Sequence, residues 1–155
     1  MKTSTSLIAV QLMLVLSVGR YALAAEHSVA SNTLPSAVQQ KSKLILDGAT
    51  VRECIRDISK GRTTYELETA KNGYSKDITF DSDENVIEIK EQIDLASLPA
   101  PVAAAIQSEK GAGPIGKIES VTRAGTVISY ETTVTRNGKP HEIAFRPDGS
   151  AMKPD

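Results

Sequence analysis

The residues able to do chemistry are few and scattered. His27 and His141 are the only imidazoles and Cys54 the only thiol in a chain of 155 residues. No G-x-S-x-G elbow or similar local signature supports a Ser/His/Asp or Cys/His machine. One Cys and two distant His offer no zinc-ligand spacing. Cys54 reads as a small buried hydrophobe, and His141 as a polar side chain on a strand or loop edge. Asp81-x-Asp83-x-Asn85 imitates the opening of a calcium loop, but Val86 and Gln92 stand where that loop needs Gly and Glu. A turn between strands accounts for the run. What remains is a set of carboxylates, Glu66, Glu68, Asp77, Glu88, Glu131 and Glu142, that alternate with apolar residues and share the outward side of strands. Lys90 and Arg146 are their main basic counterparts. Like charges standing together on a sheet repel one another, and a basic partner relieves that repulsion. The expectation is therefore a binding surface with no catalytic residue, no metal site and no cofactor.

Those acids need strands to hold them, and the strand patterns are clearest in the second part of the chain. Pro99 and Pro101 can both occupy the first turn of a helix, where a missing N–H costs nothing. Leu98, Val102 and Ile106 then recur every four residues, and Gly111 and Gly113 supply the stop. Ile128, Tyr130, Thr132 and Val134 share one face of a strand over 127–134. Asn137-Gly138 marks a hairpin, with Lys139-Pro140 suggesting a loop somewhat longer than two residues. Ile143 and Phe145 point inward on the next strand, and Pro147-Asp148-Gly149 turns the chain into a last short strand at 151–153.

The earlier part echoes this. Leu34-Pro35 with Val38 matches Leu98-Pro99 with Val102 at an offset of 64. Tyr65-Glu66, Asn72-Gly73, Ile78 with Phe80 and Asp83 match Tyr130-Glu131, Asn137-Gly138, Ile143 with Phe145 and Asp148 at an offset of 65. A repeat of this length predicts one supersecondary unit used twice. The first copy has a helix over about 34–46, inward residues Tyr65, Leu67 and Thr69, then Ile78 and Phe80, and a fourth strand carrying Ile87 and Ile89. Residues 51–59 are ambiguous: Val51, Cys54, Ile55 and Ile58 have helical spacing, yet the matching place in the second copy, 116–122, looks like a strand. The stretch is read as a strand with a bulge.

The run L-P-x-x-V, a glycine-rich break, G-x-x-x-Y-E, an N-G turn, alternating apolar residues and D-G resembles the PepSY-like domains of secreted bacterial proteins. Leu98, Pro99, Val102, Gly125, Tyr130, Glu131, Asn137, Gly138, Asp148 and Gly149 carry the likeness through the second copy. The first copy fits more loosely, with Asn85 where a glycine would close the D-G turn. The tandem arrangement is similar in architecture to β-lactamase inhibitor protein, whose helices cover one face of a sheet while the other meets a partner. This resemblance implies an association with inhibiting or modulating secreted peptidases, with no inhibitory residues to carry over.

Residues 1–24 read as a secretory signal: Lys2 gives a positive start, 7–18 is an apolar run, and Ala22-Leu23-Ala24 is a cleavage site. That run is short for a membrane span and no Cys follows it to take a lipid, so no membrane anchor is expected. Cleavage removes Lys2 and Arg20 and no acid, leaving 16 basic against 19 acidic residues, a balance of −3. No basic stripe survives to bind nucleic acid. The expected organisation is a signal at 1–24, a loose arm at 25–32, a first unit at 33–96 and a second at 97–155. The expected fold is α+β: two tandem helix-plus-four-strand units forming an antiparallel sheet with both helices on one face. The expected function is a non-catalytic periplasmic or secreted binding module, meeting a protein with a basic surface. The alternative is a small-ligand or cation-binding periplasmic protein.

Overall fold

A computed structural model of the chain describes residues 25–109 and 113–153. The expected export signal at 1–24 and the glycine stop at Gly111 lie outside the described residues. The strands are β1 (Ala25–Ser28), β2 (Thr50–Ser59), β3 (Arg62–Lys71), β4 (Tyr74–Phe80), β5 (Val86–Ile93), β6 (Ile115–Arg123), β7 (Thr126–Arg136), β8 (Lys139–Phe145) and β9 (Ala151–Met152). Helix α1 (Ser36–Ile45) lies between β1 and β2, and α2 (Ala100–Glu109) between β5 and β6.

This corrects the expected pair of helix-plus-four-strand units. All nine described strands form one antiparallel sheet in chain order, and the described residues hold two short α-helices of ten residues each. Hydrogen bonding runs straight through the expected boundary, because β5 pairs with β4 on one side and with β6 on the other, Ile89 opposite Thr122 and Ile93 opposite Ile118. The first half of the expected loose arm at 25–32 is a strand, since Ala25–Ser28 lines up with Ile55–Ile58 of β2. Its side chains gave no apolar signal; the pairing is made by backbone.

Register decides which side chains share a face. Leu67 stands opposite Ile78, which stands opposite Ile89; further along, Ile118 opposes Thr132 and Thr132 opposes Ile143. That face carries both apolar clusters. Leu34 and Val38 pack with Cys54, Leu67, Ile78 and Phe80, while Leu98, Val102 and Ile106 pack with Ile118 and Phe145. Val38, Val102 and Ile106 are fully buried, each contributing at most about 1.5–3 kcal/mol before ordering costs. Residues 51–59 are strand, as read, with the register shift falling between Val51 and Glu53. That bulge disrupts the alternation and produces the helix-like spacing of the apolar residues.

Asn137-Gly138 makes a shorter turn than expected. Arg136 pairs directly with Lys139, and both turn residues have positive φ, 52° and 74°, as a two-residue hairpin requires. In such a hairpin the flanking pair exchanges hydrogen bonds, so Pro140, one residue on, aims its nitrogen away from β7. β9 pairs only with Ala144 and Phe145, so the missing N–H faces an open edge and costs nothing. Gly149 closes the β8–β9 turn against α2. A Cβ there would lie 2.8 Å from the Pro101 carbonyl oxygen.

Candidate functional site: the open sheet face

The alternation that buries Leu67, Ile78 and Ile118 sends their neighbours to the other side of the sheet, where no described helix lies. All six carboxylates singled out from sequence point there. One lateral row reads Glu53, Glu68, Asp77, Lys90, Val121 and Ser129 from β2 to β7. The next reads Ile55, Glu66, Thr79 and Glu88 from β2 to β5.

The structure brings three of the six together with no ion pair of their own among the described residues, although Lys90 stands opposite Asp77. Glu68 stands opposite Asp77, and Glu66 is diagonal to it. No ion pair among the described residues reaches any of them. Burial pushes the Glu66 carboxyl above its ordinary pKa, and the charges of Asp77 and Glu68 push it further. Asp77 is raised too, first by burial and then by Glu119 and Glu68, against the opposing pull of Lys117 and Lys90.

The other three are separated from that group. Glu88 meets Arg123 at 2.6 Å. Glu131 has a side chain only 6% exposed and takes the Lys90 ammonium at 3.0 Å, reaching across β6. Burial pulls the Lys90 pKa down, but the hydrogen bond and charge of Glu131, with Glu88 and Glu142, outweigh it and leave the ammonium above its ordinary value. Glu142 is exposed on β8 opposite Thr133. Arg146 does not serve the face at all: it donates to Ser150 Oγ and the Ala151 carbonyl in the β8–β9 turn. The cations that do serve it are Lys90, Arg123 and Lys117, the last meeting Glu119 at 2.7 Å and Ser75 Oγ at 3.1 Å. Sequence reading missed Glu53 and Glu119, because bulges in β2 and β6 break the alternation that would place them.

Other candidate chemistry resolves into structure. His27 and His141 sit on β1 and β8, seven strand spacings apart or roughly 33 Å. Asp81 Oδ1 accepts the N–H groups of Asp83 and Asn85 at 3.0 and 2.8 Å, an Asx turn closing β4 to β5. Burial and the neighbouring Glu53 raise the Cys54 thiol pKa, which keeps it protonated and unreactive. Among the described residues no three His, Cys, Asp or Glu gather as metal ligands. A cleft of about 310 Å³ lies beside the end of α1, where Lys71 is held by Asp47 at 2.7 Å and Lys76 lies 3.7 Å from Glu91. A smaller one of about 230 Å³ lies under α1 against Leu34, Val51, Cys54 and Leu67. No described helix is long and apolar enough to cross a membrane.

No protein-family model matches the chain, and no curated protein sequence does. Solved structures do. A DUF2874 family protein of Bacteroides uniformis superposes with a TM-score of 0.62 at 17% identity, over 77% of this chain and 87% of its own. A protein of Bacteroides eggerthii assigned to the periplasm gives 0.63 at 20% identity, over 77% and 86%. A BLIP-like protein of Bacteroides fragilis gives 0.57 at 19% identity, over 77% and 85%. At such identities the likeness concerns the fold, which this chain shares with these BLIP-like and DUF2874 proteins.

Proposed function

We propose that this chain is a non-catalytic periplasmic module that binds a protein through its open sheet face, as an inhibitor or modulator of a secreted protein such as a peptidase. The observation that carries the reading is the group Glu66, Glu68 and Asp77. They are adjacent and partly buried, burial and neighbouring carboxylates raise the pKa of Glu66 and Asp77, and none of the three has an ion pair among the described residues. A basic side chain from a partner relieves both the repulsion and the partial desolvation. A sheet of nine strands has room for an interface on the order of 1,200–2,000 Å². Three further points support the reading: the PepSY-like resemblance of residues 97–155, the BLIP-like fold, and a fold relative assigned to the periplasm. The acids expected from sequence at Glu88 and Glu131 now belong to the scaffold, each being held by its own cation.

The test compares two forms of the chain freed of residues 1–24, one unaltered and one carrying Glu66→Gln, Glu68→Gln and Asp77→Asn. Each is immobilised and exposed to extracts of its own periplasm at low and high salt. The expected result is a protein retained by the unaltered chain at low salt and lost both at high salt and with the triple substitution. Equal retention by the two forms would overturn the reading.

A further inference from the structure

The two edges of the sheet are finished differently. At one edge β8 is blunted: β9 covers Ala144 and Phe145, and Pro140 presents no N–H. At the other, among the described residues, the ten-residue β2 is covered over Ile55–Ile58 by the four residues of β1, with the Val29 N–H donating to the Cys54 carbonyl at 2.8 Å just beyond. Glu26, His27 and Ser28 of β1 are all exposed, so backbone hydrogen bonds hold this strand, and the side-chain anchor next to it is Val29, which packs on the first apolar cluster. Beyond it, an open cleft of about 320 Å³ follows β2 past Val51, Arg52 and Glu53.

β1 also matches β2 badly. Glu26 stands opposite Asp57, two carboxylates directly across the strand pair. Such a pairing destabilises a sheet. His27 stands opposite Arg56, so the guanidinium meets no negative charge on that strand. No ion pair among the described residues reaches Glu26 or Asp57, and Asp57 Oδ1 is buried with no hydrogen-bond partner. The effect extends into the open face, where Glu26 adds to the charges raising the Glu66 pKa.

We infer that β1 is a displaceable strand and that the edge of β2 is a strand-exchange site for an extended segment of another protein. The register specifies that segment. Running antiparallel to β2, it presents an apolar residue to Ile58, a basic one to Asp57, an acidic one to Arg56 and an apolar one to Ile55. Backbone hydrogen bonds supply attachment, as they do wherever a peptide adds to a sheet edge, and the charge order supplies selectivity. The site lies on the edge of the sheet and does not depend on the Glu66, Glu68 and Asp77 group.

A fluorescein-labelled peptide Thr-Val-Lys-Glu-Val-Thr and its charge-swapped isomer Thr-Val-Glu-Lys-Val-Thr test this against the chain freed of residues 1–24. The first peptide is expected to bind at least about tenfold more tightly than the second, by anisotropy. Hydrogen exchange read by mass spectrometry is expected to show residues 25–28 losing protection in the complex while 55–58 keep theirs. The double substitution Glu26→Lys with His27→Glu gives β1 the matched charges. It is expected to raise Tm by roughly 2–6 °C and to weaken binding of the first peptide at least about tenfold. Equal affinity for the two peptides, or continued protection of 25–28 in the complex, overturns the inference. So does undiminished binding by the double variant. Because both peptides have the same composition, nonspecific attraction to the acidic face gives equal affinities and is counted against it.

Discussion

The two halves of the open face carry similar sets of carboxylates and differ in what answers them. On β2, β3 and β4, Glu53, Glu66, Glu68 and Asp77 stand together with no ion pair among the described residues. On β5, β6 and β7, Glu88, Glu119 and Glu131 each hold a cation, at 2.6, 2.7 and 3.0 Å. The acids do not cause the difference; the placement of the cations, Lys90, Lys117 and Arg123, does. Lys76 is one residue from Asp77, so the pleat turns it to the helix-bearing face, where it lies 3.7 Å from Glu91. Lys90 and Lys117 fall on outward positions and Lys76 does not. A shift of one residue in cation placement thus separates a self-neutralised half from one that is left with surplus negative charge.

The sharpest way to break this comparison is to remove the cation from the neutralised half. Lys90→Met leaves Glu131 buried, with the Ser129 hydroxyl at 3.4 Å as its remaining side-chain donor among the described residues. Orphaning one member of a buried pair costs about 3–5 kcal/mol, and since the Lys90 side chain is 28% exposed the expected loss is about 2–3 kcal/mol. Urea unfolding measures it. Adding Glu131→Leu to Lys90→Met is expected to recover most of the loss, because an apolar pair has no charge to desolvate. A double variant no more stable than the single one would mean that Lys90 acts through packing rather than charge. Glu88→Gln gives a smaller effect of the same sign, about 0.5–1 kcal/mol, as its partner Arg123 is 44% exposed.

Much of this could be read from the residues, and the limits have physical causes. The inward sets on β3, β4, β7 and β8 follow from strict alternation, and Leu98, Val102 and Ile106 from helical spacing. The acids of the open face followed from the same alternation. What alternation cannot supply is the neighbour two strands away: Lys90 reaches Glu131 across β6, 41 residues along the chain. Bulges hid Glu53 and Glu119 by shifting the pattern. β1 was invisible because an edge strand held by backbone needs no apolar side chain. The division into two units failed at β5, whose apolar alternation is equally consistent with a unit's last strand and with a strand shared by both neighbours.

The smallest expected effect is also the most diagnostic, because its sign is opposite. Glu66→Gln, Glu68→Gln and Asp77→Asn remove repulsion rather than attraction, so the triple variant is expected to be more stable than the unaltered chain at pH 7, by under about 1 kcal/mol. The gain must depend on pH. A carboxyl whose pKa is higher folded than unfolded binds its proton more tightly in the fold, so it stabilises the protein while protonated. For Glu66 and Asp77 that contribution is complete below the ordinary values of 4.5 and 3.8, and it is lost as the pH rises through their raised folded values. The amides have no such loss. The stability difference between variant and unaltered chain is therefore expected to grow in the variant's favour from pH 4 towards pH 7 and then to level off. A difference that ran the other way, with the amides costing stability at neutral pH, would mean that these acids are neutralised within the chain after all. The two halves of the face would then be alike.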